Sequence, residues 1–267
     1  MRFSIITVNL NNKEGLIRTI NSVISQTFQD FEFIVIDGGS TDGSRDVLEK
    51  YDKQISYWVS EKDGGIFNGM NKGIRIAKGE YLNFLNSGDT LFDNNVLSLA
   101  NKEADDIDIL IGKDYHYDEI SKKEFSSILP TRISMVTFFM ETLPHQGAFI
   151  KKKLFSDTPY DETLKLSSDW AFYIKKIIIQ CCSVKLVPFI FSQREQNGIT
   201  CTQVQELKEE KNIYLHKLLP NGVYKDYETL ANLDRSTLYK LMNICENPKT
   251  CTLLRICIKI INRLFLR

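Results

Sequence analysis

No stretch of this 267-residue chain is long and apolar enough to span a bilayer. Net charge is missing too: 34 Lys plus Arg balance 34 Asp plus Glu, so nothing in the whole chain favours a polyanion, and no nucleic-acid partner is expected. Cys181, Cys182, Cys201, Cys245, Cys251 and Cys257 form no C-x-x-C pair, and no His/Cys cluster has zinc spacing. A P-loop is absent. The first candidate βα turn reads NLNNKEG and lacks the G-x-G-x-x-G of dinucleotide folds. The opening MRFSIITVNLNN has neither the charged lead nor the cleavage site of a signal peptide and reads as a first core strand. The expectation is a cytoplasmic chain with free thiols.

What is present is globular: 43% of the residues are hydrophobic and 25% charged. The length suits one α/β domain with an appendage. Phe3 to Leu10 and Phe31 to Ile36 are β-rich apolar runs, Ile55 to Val59 reads as a third strand and Tyr81 to Leu85 as a fourth. Between them, Lys13 to Phe28 has a helical period, Arg45 to Tyr51 suits a short helix, and Gly65 to Ala77 reads as a third helix. Strands and helices alternating at this spacing imply a mainly parallel sheet, whose ligands bind beyond the carboxyl ends of the strands.

Three polar clusters fall at those ends: Thr7-Val8-Asn9-Leu10-Asn11, the loop from Asp37 to Ser44, and Asn86-Ser87-Gly88-Asp89. Any one of them alone is accounted for equally well as turn chemistry; three on one rim favour a site. Asp37 can accept from a base N–H or a ribose hydroxyl. Asp89 can coordinate a hard divalent cation bridging a pyrophosphate. The ligand these suggest is a nucleoside diphosphate with a metal.

The runs SIITVNLNN, QTFQDFEFIVIDGGSTDGS and SEKDGGIFNGMNKGIRIAKGEYLNFLNSGD together resemble the family 2 glycosyltransferases of GT-A fold, among them enzymes of bacterial capsule, O-antigen and exopolysaccharide synthesis. The resemblance is dense over residues 1–92, thinner from His145 to about Thr200, and absent beyond. It implies a GT-A domain over 1–204, with a nucleotide-sugar half at 1–92 and an acceptor half at 93–204, followed by a helical extension at 205–267. It places Thr7 and Asn9 in the nucleotide pocket, Asp37 on the base, Gly38, Ser40 and Asp42 in the loop that follows, and Asp63, Asn71 and Lys72 beside the donor. Asn86 to Asp89 matches the metal-binding D-x-D region, with Asn86 and Gly88 where acids are frequent, so Asp89 is the expected ligand of Mg2+ or Mn2+. One carboxylate with phosphate and water can still hold such a cation, with weaker affinity.

On the acceptor side, Pro144-His145-Gln146 resembles the family's H-Q element. Ser168-Asp169-Trp170 resembles the element whose Asp is the general base, and FSQREQNGIT resembles a loop reading R-x-G-G-x-S. From the residues alone, Asp169 also suits a cap or first-turn acid, His145 a core histidine, and Lys72 a solvated helix lysine. The function implied is an inverting transfer from a nucleotide sugar, UDP-linked by default, to a saccharide acceptor that the resemblance makes lipid-linked. A sugar nucleotidyltransferase or a non-catalytic sugar- or partner-binding module is the alternative.

Two further helices are expected over Gln205 to Leu219 and Asp226 to Asn243. The final TCTLLRICIKIINRLFLR has Arg255, Lys259, Arg263 and Arg267 at four-residue spacing and no acid. As a basic amphipathic helix over 250–267 it suits the inner membrane surface, or packing on the domain or in a dimer.

Overall fold

The computed structural model describes residues 1–118, 122–157, 159–195, 202–233, 237, 240, 244 and 248–252. Its first half follows the expected alternation: β1 (Phe3–Asn9), α1 (Lys13–Ile24), β2 (Phe31–Asp37), α2 (Ser44–Lys50), β3 (Tyr57–Ser60), α3 (Ile66–Ile76) and β4 (Tyr81–Phe84). β1 is buried along its whole length, as a central parallel strand covered on both faces must be. It pairs in parallel with β2 and β4, and β2 with β3.

Next come β5 (Thr90–Leu91), α4 (Val96–Glu103), β6 (Ile109–Asp118), β7 (Lys123–Ser126), α5 (Met135–Met140), β8 (Ala148–Lys151) and α6 (Ser168–Tyr173). α6 runs on as a wider helical turn over Ile174–Ile179. β9 (Val184–Gln193), α7 (Val204–Leu218) and α8 (Asn221–Ala231) follow. The sheet order is β3-β2-β1-β4-β8-β6-β9-β5, with β7 on β6. The mixed α/β sheet is parallel through β4, and β8 enters antiparallel to both β4 and β6. β9 then runs parallel to β6.

This topology decides where function can sit. The register aligns Asn9 with Asp37 and Asp37 with Ser60, so the ends of β1, β2 and β3 are level. β8 runs the opposite way, so the residues just before Ala148 reach the same rim. β6 and β9 run opposite to β8, so their final residues reach it as well.

α1 stops at Ile24, short of the expected Phe28, because the next residues bind elsewhere. Gln26 Nε2 donates to the Asp93 carbonyl (2.6 Å), Gln26 Oε1 accepts from Leu97 N (3.0 Å), and Thr27 N donates to the Asn94 carbonyl (2.9 Å). α8 begins at Asn221, before the expected Asp226, because Pro220 occupies its cap position instead of forming a spacer.

The chain divides into two compact units, Met1–Arg132 with Thr142–Tyr214, and Ile133–Glu141 with Leu215–Arg267. The first therefore includes residues 205–214 of the stretch expected as an extension. In the second, Phe139 stacks on Tyr227 at 5.3 Å and His216 on Tyr224 at 3.8 Å. The basic segment expected at 250–267 lies, apart from 250–252, outside the described residues, as do 196–200 of the R-x-G-G-x-S-like loop. Among the described residues no helix is long and apolar enough to cross a membrane.

The turn into β4 lies tight against β1. A Cβ on Gly79 would come within 2.5 Å of the backbone C of Phe3 and N of Ser4. Gly79→Ala should lower stability by about 1–3 kcal/mol in urea denaturation, because backbone rather than a pliable side chain must yield. An unchanged midpoint would show that the β1–β4 contact tolerates displacement.

Candidate active site

Beyond the strand ends lies a cavity of about 470 Å³, lined on one side by Asn9, Asn11, Asn12, Asp63 and Phe67, and on the other by Asn86, Asp89, His145, Asp169, Arg194 and Glu195. Six of the sequence-predicted residues therefore meet in it: Asn9, Asp63, Asn86, Asp89, His145 and Asp169. A depression of about 630 Å³ at the opposite end of β4 is lined by Lys151, Lys152 and Lys153. Lys151 is bound to Asp106 (2.6 Å), Lys153 to Asp108 (2.8 Å) and Lys152 to the Ala77 carbonyl, so these three cations are already engaged.

The other predicted residues stand behind the lining. Thr7 Oγ1 donates to the Leu85 carbonyl at 2.6 Å, between β1 and β4. Asp37 is fully buried. Its Oδ1 accepts from Asn9 Nδ2 (2.7 Å) and Ser40 Oγ (2.5 Å), and its Oδ2 from Ser60 Oγ (2.6 Å) and the Gly39 and Ser40 amides (3.2 and 3.0 Å). Burial pushes its carboxyl up, and the bonds from Ser40, Ser60 and Asn9 outweigh that, leaving it below the ordinary value. Asp37 thus knots the ends of β1, β2 and β3. Gly38 faces Asp63: a Cβ there would lie 3.1 Å from Asp63 Oδ2. Asn71 is tied to the Tyr160 backbone through both side-chain atoms, donating at 2.8 Å and accepting at 3.0 Å. Lys72 pairs with Glu61 at 2.7 Å.

On the far wall, His145 Nδ1 lies 3.1 Å from Asp169 Oδ2. Burial pushes the imidazole down, but the hydrogen bond and charge of Asp169, helped by Asp89 and Asp114, bring it above its ordinary value. Burial pushes Asp169 up, and His145 more than reverses this, so the carboxyl lies below its ordinary value. Each partner therefore favours the charged form of the other. Asp169 sits in the first turn of α6, whose cap residue is Ser167, and its carboxylate faces His145. His145 Nε2 is buried with no hydrogen-bond partner.

Asp89 differs. Burial pushes it up to about 6, against the Glu195 amide, the His145 charge and a Gln146 hydrogen bond. The Glu195 amide donates to its Oδ1 at 2.8 Å. Glu195 carries a second link: its carboxylate accepts from Asn12 Nδ2 (2.8 Å) and Arg18 (2.6 Å) and passes directly over Gly88. A Cβ at Gly88 would lie 1.9 Å from Glu195 Oε2, and φ there is +102°. Glycine at 88, read in the sequence as a missing acid, makes room for a carboxylate arriving from β9. Sequence reasoning missed Glu195, Arg194, Asn12 and Lys165; an arginine in the R-x-G-G-x-S-like match was the one signal among them.

The donor set can be tested against a divalent cation. Asn86 Oδ1 is buried without a partner, and Asp89 supplies a carboxylate beside it. Among the described residues no three His, Cys, Asp or Glu converge as a cation cage. Two hard oxygens fit an ion that takes the rest of its shell from phosphate and water.

Comparison with known proteins bears on the family and the fold. The glycosyl transferase family 2 model matches residues 4–178, and the chain belongs to that family, a glycosyltransferase of GT-A fold. An uncharacterized glycosyltransferase of Mycobacterium tuberculosis is 28% identical over 206 residues, 73% of this chain and 76% of the relative. The S. aureus TarS fragment 1–349, solved with UDP-GlcNAc, aligns with a TM-score of 0.61 at 19% identity over 76% of this chain. This chain spans 61% of that fragment and 37% of a longer TarS chain. The mannosyltransferase PcManGT of Pyrobaculum calidifontis, solved with GDP-Man and Mn2+, aligns with a TM-score of 0.63 at 13% identity over 97% of this chain and 80% of its own. At these identities the two solved structures speak for the fold.

Because the Asp89 carboxyl stays protonated up to about pH 6, cation affinity should rise as pH passes that value and level off above it. Below it, Mn2+ affinity measured by electron paramagnetic resonance should fall about tenfold per pH unit. Flat affinity from about pH 5 to 7 would remove Asp89 from the cation site.

Proposed function

We propose that the chain is an inverting glycosyltransferase, moving a sugar from a nucleoside-diphosphate donor, UDP-linked by default, to a saccharide hydroxyl. The observation that carries this reading is the His145–Asp169 pair opening on the same cleft as Asp89 and Asn86. The donor class is supported by the solved relatives in fold, one holding UDP-GlcNAc and another GDP-Man.

In this reading the diphosphate lies along the rim between Asn9, Asp63 and the Asn86–Asp89 turn, with Asp37 and Ser40 holding the loop behind it. Mg2+ or Mn2+ held by Asn86 and Asp89 would neutralise charge on the leaving diphosphate. Asp169 accepts the proton of the attacking hydroxyl, and His145 holds that carboxylate ionised and aimed. The hydroxyl oxygen bonds to the anomeric carbon as the bond to the diphosphate oxygen breaks, and the electron pair leaves with the nucleotide. A single displacement inverts the anomeric centre and requires no carboxylate nucleophile. Water can replace the acceptor, so slow donor hydrolysis is a usable assay.

Asp169→Asn keeps the shape and removes the basicity. Turnover should fall on the order of a hundredfold or more while UDP binding by calorimetry persists. Near-normal turnover would return Asp169 to a structural role.

The acceptor is proposed to be lipid-linked and part of surface polysaccharide synthesis, reached from the cytoplasmic face. The support is the acid-free basic segment with Arg255, Lys259, Arg263 and Arg267 among Leu, Ile and Phe. The full chain should bind vesicles containing anionic phospholipid, release from them as salt rises, and lose binding when residues after Pro248 are deleted. Indifference to such vesicles at low salt would leave the segment a packing element.

A further inference from the structure

The resemblance that marks the catalytic elements ends near residue 200, yet α7 grips the segment carrying Asp169. Glu210 Oε2 accepts from the Lys165 amide at 2.6 Å, and its Oε1 accepts from the Leu166 amide at 2.9 Å and Ser167 Oγ at 2.7 Å. These are three consecutive residues, and the third caps α6, where Asp169 is the second helical residue. Ser167 is fully buried and makes no side-chain capping bond within α6. Its hydroxyl goes to Glu210 instead. One carboxylate therefore fixes the entry angle of the helix that aims the base.

Two neighbours of Glu210 on α7 hold the next residue along. Lys211 Nζ sits 5.1 Å over the Trp170 ring, and the Tyr214 ring meets the same indole edge-on at 5.6 Å. Trp170 is almost fully buried. Lys211 is also close enough for its charge to draw Asp169 downward. Lys165 and Leu166 line the cleft, so α7 sets both the wall and the base behind it.

We propose that Glu210 is a positioning residue for Asp169, acting through residues 165–167; this rests on the reading of Asp169 as the base. Bonds to an ionised acceptor are shorter and stronger than neutral ones, and a small misplacement of a reacting group lowers the rate steeply. The donor-side wall of Asn9, Asn11 and Asp63 makes none of these contacts, so donor binding should not depend on Glu210.

The test is a double-mutant cycle on the full chain, with Glu210→Ala in the wild-type and Asp169→Asn backgrounds. Turnover is read as hydrolysis of the UDP-sugar that the wild type cleaves fastest, and binding as the calorimetric Kd for UDP. Glu210→Ala should lower turnover about tenfold or more in the wild type while the Kd for UDP moves less than about twofold. In the Asp169→Asn background it should lower turnover by less than about twofold, since residues acting through one another are not additive. Glu210→Gln keeps the Oε1 acceptor for Leu166 and Ser167 and should restore most of the rate.

Turnover of Glu210→Ala within twofold of wild type overturns the proposal, and so does an equal loss in both backgrounds, the mark of a merely structural tie. If Glu210→Ala fails to fold, Ser167→Ala takes its place in the cycle: it deletes one of the three bonds and should lower turnover about threefold, in the wild-type background alone. Equal rates with and without that hydroxyl overturn the proposal. Near-normal turnover by Asp169→Asn alone would refute the base, and the proposal with it, before Glu210 is considered.

Discussion

β1 pairs in parallel with β2 on one side and β4 on the other, and most of the chemistry depends on that register. Asn9 is level with Asp37, and the Asn86–Asp89 turn follows the strand on the other flank. A shift of one residue would turn every side chain of β1 to the opposite face. The cluster around Asp37 closes the strand ends against such slippage: a buried carboxylate with five donors binds β1 through Asn9, β3 through Ser60 and its own loop through Ser40. A charge can stay buried at this depth because its hydrogen-bonding capacity is filled.

The two walls of the cleft are assembled by different physics. The donor wall is local, built by β1, β2 and the loop before α3 within the first 70 residues. The opposing wall is gathered from distant parts of the chain. Asp89 comes from the β4–β5 turn, His145 from the approach to β8, Asp169 from α6 and Glu195 from beyond β9. Antiparallel entry of β8 is what brings His145 to the rim that β4 and β9 reach by their own ends. Ionisation differs across that wall as well. His145 holds Asp169 below the ordinary carboxylate range while burial lifts Asp89 to about 6, so two acids in one cleft hold their protons differently. That separation suits one to act as base and the other to await a cation.

The donor half was legible because each of its elements has a local signal: apolar runs for strands, a helical period for α1 and α3, and polar clusters at strand ends. Its limits were legible less well. α1 ends four residues early because Gln26 finds the β5–α4 loop, a long-range contact that no period encodes. On the opposing wall, motif matches located His145 and Asp169 but not their pairing. Glu195 and Glu210 left no signal: each acts on residues some 45 to 180 positions away, through hydrogen bonds that a single sequence does not display. Gly88 carried a signal of the wrong sign, an apparent loss of charge that is the vacancy a distant carboxylate crosses.

Stereochemistry tests the single-displacement reading most directly. Time-resolved proton NMR of donor hydrolysis, read before mutarotation, identifies the anomer released first. From an α-linked UDP-sugar, attack by water deprotonated at Asp169 should release the β-anomer. First release of the α-anomer would contradict a cleft built around one base and one departing diphosphate.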